Sequence, residues 1–77
     1  MKVYLVRYLN GPEEEIIDEQ IYLTFDKAKE SLLQHCYNLF VDPENPNYME
    51  EWEDMKEQAK NGYVLYGGDI TEKDLRD

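Results

Sequence analysis

Between positions 50 and 57 the chain carries Glu50, Glu51, Glu53, Asp54 and Glu57, interrupted by Trp52, Met55 and Lys56. Four of these acids, Glu50, Glu53, Asp54 and Glu57, are related by steps of three and four. On a helix such residues are neighbours about 5–6 Å apart on one face. The chemistry of that arrangement is the presentation of fixed negative charge. A rigid row of carboxylates, spaced much as phosphates are along a strand, can occupy a Lys- and Arg-lined cleft built for nucleic acid. Its association would be electrostatically steered and weakened by salt. The row has a cost, because like charges at i, i+4 oppose the helix by a few tenths of a kcal/mol per pair. Part of that cost is offset at Glu50 and Glu51, which fall in the first turn, where the helix dipole favours anions. The acids also continue outside the helix, at Asp42, Glu44, Asp69, Glu72, Asp74 and Asp77. The plainer explanation is a solvated helix face kept charged for solubility.

Tyrosine is the second constellation, with seven in the chain. Its apolar body and polar tip suit an interface. Tyr4, Tyr8, Tyr22 and Tyr66 are expected on the open face of a sheet, as a homodimer surface or a partner-binding patch; the alternative is that they fill out a small core. An aromatic sheet also suits single-stranded RNA, but phosphate would be repelled here. His35 and Cys36 are consecutive, so on a helix their side chains diverge by about 100° and cannot act as a nucleophile–base pair. Cys36 falls on an apolar stripe and reads as an inert core thiol. Asp42, Glu44, Asn45 and Asn47, with Glu50 or Glu51 nearby, offer oxygens to a cation, yet the glycine that a calcium loop needs at its sixth position is Asn47 and two prolines intervene. Paired carboxylates such as Asp18 and Glu19 are expected by chance among 18 acids. Gly67-Gly68 lacks the Lys and the helix of a phosphate loop. The chain is expected to be non-enzymatic, without metal or cofactor.

The elements that must position these residues follow from pattern. Residues 2–9 read as a strand, apolar on both faces and therefore central. Asn10-Gly11-Pro12 signals a turn, with Glu13-Glu14-Glu15 as a solvated tip. Residues 16–23 read as the second strand of a hairpin, with Ile17, Ile21 and Leu23 on one face and Asp18, Gln20 and Tyr22 on the other. Thr24 and Asp26 are both candidate N-caps. Phe25, Ala28, Leu32, Cys36 and Leu39, widened by Leu33 and Phe40, form the inward stripe of a helix over about 25–40. Residues 42–47 form a Pro/Asn loop. A second helix over 48–60 turns Met49, Trp52, Met55 or Lys56, and Ala59 inward, and ends at Asn61-Gly62. Residues 63–66 give a third strand that Gly67-Gly68 breaks. Asp69-Ile70 can resume pairing, and Thr71–Asp74 cap a last turn or fray. The order β-β-α-α-β gives one α+β domain over residues 1–77, with a three-stranded antiparallel sheet (order 2-1-3) and two helices on one face.

Charge sets the class of partner. The 77 residues carry 18 acids against 8 bases, a net charge of −10. Residues 1–40 hold 7 acids and 4 bases, and residues 41–77 hold 11 and 4, so the second part (−7) outweighs the first (−3). Disorder is excluded by the 42% hydrophobic and 13% aromatic content. Direct binding to nucleic acid or to an anionic membrane is disfavoured. A lone cysteine favours a reducing compartment, the cytoplasm. In size and composition the chain resembles the small acidic proteins of phages and mobile elements that act against host defence, through its acidic runs 13–19, 42–57 and 69–77. The resemblance implies a non-enzymatic inhibitor, anti-restriction or anti-CRISPR in type, acting as a DNA mimic. Its partner would be a basic protein: a nuclease, a restriction or CRISPR effector, or a DNA-binding protein. The alternative is a small cytosolic interaction module, a homodimer through the Tyr-lined sheet, with acidity serving only solubility.

Overall fold

The computed structural model describes residues 1–75. Both helices and the first two strands lie where the sequence puts them: β1 Lys2–Leu9, β2 Ile16–Tyr22, α1 Phe25–Phe40 and α2 Tyr48–Ala59. Of the two candidate caps for α1, the hydroxyl of Thr24 accepts from the Lys27 amide at 3.2 Å. The chain is an α+β fold with two helices against an antiparallel sheet, and β1 is an interior strand as expected.

The sheet has four strands, not three, in the order β2-β1-β4-β3. The expected third strand shrinks to β3, Tyr63–Val64; pairing resumes at Asp69-Ile70 as expected, but it runs on through Thr71–Asp74, expected to cap a turn or fray, to make β4, Gly68–Asp74. β4 pairs antiparallel with β1 from Lys2↔Asp74 to Tyr8↔Gly68. Local geometry makes this return possible. Val64–Gly67 closes a turn through the Gly67 amide on the Val64 carbonyl at 2.9 Å, with Tyr66 at φ 63°. Gly68 then adopts φ 151°, a conformation L side chains rarely take, and a Cβ there would run into the Arg7 carbonyl oxygen.

The core lies between the sheet and the helices. Val6 and Tyr8 of β1 meet Ala28, Leu32 and Cys36 of α1, Ala59 of α2 and Val64 of β3, with Tyr4, Tyr22, Leu33, Phe40, Met55 and Ile70 packed around them. Strand alternation therefore turns Tyr4, Val6 and Tyr8 toward the helices, and Val3, Leu5 and Arg7 the other way. The open face, expected to carry tyrosines, instead presents aliphatic Leu5 opposite Ile21, with the exposed Leu23 beyond. Two stripe residues also depart from expectation. Leu39 is 40% exposed while Phe40 packs on the core, and Met49 is 51% exposed. A register shift between Tyr8 and Leu9 leaves Ile17 unpaired, so it leaves the face of Ile21 and Leu23 and lines a cleft beside α1.

Candidate functional site

The orientation of α2 is set from inside. Trp52 packs edge-on against Tyr37 of α1, with ring centroids 5.1 Å apart. Lys56 lies 5.8 Å over the same indole, its stem half-buried. Met55 and Ala59 complete the contact with the core. At about 100° per residue, Glu53, Glu57, Glu50 and Asp54 fall within one arc directly opposite Ala59. All are exposed, and together with Glu51 they surround Met49 in one shallow depression. Met49 sits at the edge of that arc, about 60° from Trp52, which is why it escapes the inward stripe.

The fold neutralises this face only in part. Lys56 pairs with Glu53 at 2.6 Å and Lys60 with Glu57 at 3.0 Å, both one turn apart and exposed. Among the described residues Glu50, Glu51 and Asp54 have no ion-pair partner. Asp42 and Glu44 lie in the loop leading into α2. There the Asp42 carboxylate accepts from the Glu44 amide at 3.0 Å, and the Asn45 side chain accepts from the Asn47 amide at 3.0 Å. These oxygens serve the loop's own turns. Among the described residues, no group of three or more His, Cys, Asp or Glu side chains could hold a metal ion.

The acids beyond α2 do not join its face. Asp69 is gripped by Arg7 through two bonds, 2.9 Å from Nε and 2.7 Å from the terminal nitrogen, on the sheet face turned away from the helices. That bond holds the guanidinium pKa above its usual value. Glu72 pairs with Lys2 at 2.9 Å, and Asp74 lies 3.5 Å from the terminal amine. Asp77 lies outside the described residues.

The tyrosines separate in the same way. Tyr8 and Tyr22 both turn toward α1, where their hydroxyls meet Ser31. The Tyr22 hydroxyl donates to the Ser31 oxygen at 2.6 Å, and the two phenolic oxygens are 3.2 Å apart. Tyr4 packs edge-on against Phe25 at 5.9 Å. Tyr66 sits apart, in the turn before β4, near Phe40, Met55 and Leu65. No tyrosine-lined open face forms, because Ser31 gives the phenols a partner on the helix side and so makes their burial tolerable.

The same cluster contains the groups with most chemical potential. Burial pushes the Tyr8 hydroxyl up to about 12, with the Tyr22 hydrogen bond raising it further and the Ser31 bond opposing. Burial alone pushes the Cys36 thiol up to about 12, so it stays protonated and unreactive near neutral pH. His35 bonds the Leu9 carbonyl through Nε2 at 2.7 Å, a contact in which the nitrogen must donate, and stacks edge-on against Tyr8 at 5.1 Å. The ring is thus anchored to the sheet edge.

No helix of the described residues is long and apolar enough to cross a membrane. No protein-family model matches the chain, and no curated protein or solved structure matches it.

Proposed function

We propose that this chain is a non-enzymatic acidic binding protein whose α2 face occupies the basic, nucleic-acid-binding surface of a partner protein. One observation carries the reading. Glu50, Glu53, Asp54 and Glu57 project from the side of α2 opposite its packing contacts, around an exposed Met49. Residues 50–57 hold five acids and one Lys, a net −4. Eight helical residues rise about 12 Å, so the face carries one net charge per ~3 Å. A DNA strand carries one per ~3.4 Å. A surface of that density can compete for a cleft shaped to bind phosphate, and Met49 adds an apolar anchor of the adaptable kind used at binding surfaces. The partner class is a nuclease, a restriction or CRISPR effector, or another DNA-binding protein. The buried single thiol of Cys36 fits a cytoplasmic setting as part of the same proposal.

The test is capture of the partner from a host lysate on immobilised protein, followed by competition. A bound basic protein should be released by duplex DNA and by salt. Capture should be lost when Glu50, Glu53, Asp54 and Glu57 are all changed to Gln. Retention of the same partner by that quadruple variant, or indifference to DNA, would overturn the reading.

A further inference from the structure

The opposite end of the sheet carries a second acidic surface, of a different kind. β2 is an edge strand: it pairs with β1 on one side and with nothing among the described residues on the other. It is seven residues long and exposed at every position except Tyr22. An edge strand leaves alternate N–H and C=O groups unpaired, a template for another extended chain; on β2 the Glu19 amide donates to the Asp18 carboxylate at 2.9 Å, a local bond that an added strand has to replace. Proteins blunt such edges with charged side chains, lysine above all, with prolines and bulges, or by shortness or a covering element. β2 contains no lysine or proline and its single bulge lies at one end, so its protection rests on the charges of Asp18 and Glu19.

Charge decides what can pair there. From Asn10 to Leu23 the chain has five acids, Glu13, Glu14, Glu15, Asp18 and Glu19, and no base. Self-pairing of β2 from two copies is opposed in two antiparallel registers. Directly opposite residues share a face of the sheet, so one sets Glu19 against Glu19 and the other sets Asp18 against Asp18, and like charges directly opposite destabilise a sheet. The aliphatic open sheet face is a poorer site for a second copy than it looks. Three strands of seven or eight residues and the two-residue β3 cover only about 380 Å², under half of what a standard interface contributes per partner. The edge is acidic on both of its faces, Asp18 toward α1 and Glu19 away from it, and Ile21 and Leu23 lie exposed beside it. Along the helix side runs a cleft of about 650 Å³, where Asp18, Gln34 and Asn38 could receive alternate side chains of an added strand; Glu30 there already lies 3.7 Å from Lys27, which shares the lining.

We propose that the free edge of β2 accepts an extended, basic segment of a partner protein by strand addition. Its backbone continues the sheet, and its alternate Lys or Arg side chains reach Asp18 at the mouth of the cleft. The remaining side chains lie over Ile21 and Leu23. This surface is independent of the α2 face, since α2 packs on α1 and β3 at the other end of the sheet.

The probe is a capped seven-residue peptide of alternating Lys and Val, tested by amide exchange on the full chain. At a peptide concentration about tenfold over its Kd, exchange of the outward amides of β2 should slow by about tenfold. The same peptide N-methylated on its pairing edge keeps its charge but cannot hydrogen-bond, and should give no protection. Asp18→Lys with Glu19→Lys should abolish binding, whereas the α2 quadruple Gln variant should retain it. Equal protection by the N-methylated peptide, protection on α2 instead of β2, no protection at all, or a free chain that already dimerises through β2 would each overturn the proposal. Loss of the α2 reading with retained β2 protection leaves this one standing, so the two fail separately.

Discussion

α2 and β4 are the two acid-rich segments of the C-terminal part of the chain, and the fold treats them oppositely. Each acid of β4 at positions 69, 72 and 74 faces a cation of β1 or the terminal amine. In α2, two of five acids pair with Lys56 and with Lys60 at the helix C-cap, and Glu50, Glu51 and Asp54 have no ion-pair partner among the described residues. The same residue type thus closes a sheet in one place and faces solvent in the other. Acid content alone does not mark a docking surface; what the fold leaves unneutralised does.

The largest expected effect breaks the β4 side of that contrast. Gly68→Ala forces a side chain into φ 151° and against the Arg7 carbonyl. It should cost about 3 kcal/mol or more, read as a lower urea midpoint, and should expose β4 amides to exchange while α2 stays helical. An unchanged midpoint would mean that β4 is not held as described. Asp69→Asn removes only the carboxylate of the Arg7 pair. Arg7 is 41% exposed and Asp69 27%, so solvent screening keeps the loss to about 1 kcal/mol despite the two-bond geometry.

A comparable effect should come from the buried phenol, and its pH dependence separates it from the surface acids. Tyr8→Phe should cost about 1 kcal/mol near neutral pH through lost hydrogen bonding. The folded pKa of Tyr8, about 12, lies above the ordinary 10, so its contribution is complete below pH 10 and is lost as pH rises toward 12. Cys36 acts in the same direction, from 9 to about 12. Alkaline unfolding of the wild type should therefore steepen above pH 9, and its lead over Tyr8→Phe should close and then reverse across pH 10–12, because a shift from 10 to about 12 outweighs an advantage of about 1 kcal/mol. A gap that stays constant to pH 12 would show that Tyr8 ionises as freely in the fold as out of it.

The sequence makes the helices readable because a 3.6-residue period and the Thr24 cap are local signals. β1 is readable as a strand, but its two apolar faces carry no label. The face that meets the helices is the one whose phenols find a partner in Ser31, 23 positions after Tyr8, a pairing that no local pattern announces. The far part of β4 is illegible for a related reason. Asp69-Ile70 can be read as resuming a strand, but Thr71–Asp74 look like a fraying tail because the cations they meet, Lys2 and the terminal amine, lie at the other end of the chain. The acidity of the β2 edge is hidden by averaging, since Lys2, Arg7, Lys27 and Lys29 offset it in any count over residues 1–40 while none of them lies between positions 10 and 23.

The smallest expected effect is the sharpest test of the contrast. Changing Glu50, Glu53, Asp54 and Glu57 together to Gln removes repulsions at i, i+3 and i, i+4, each a few tenths of a kcal/mol, and also removes the exposed pairs with Lys56 and Lys60, of similar size. The first-turn dipole benefit at Glu50 is lost as well. These changes nearly cancel, so stability should shift by no more than about 0.5 kcal/mol, where the single change Asp69→Asn loses about twice that. Four neutralised carboxylates that cost the fold nothing would place the α2 charge outside the demands of folding. A loss above about 1 kcal/mol in urea denaturation would instead assign those carboxylates to the fold, and the difference between α2 and β4 would disappear.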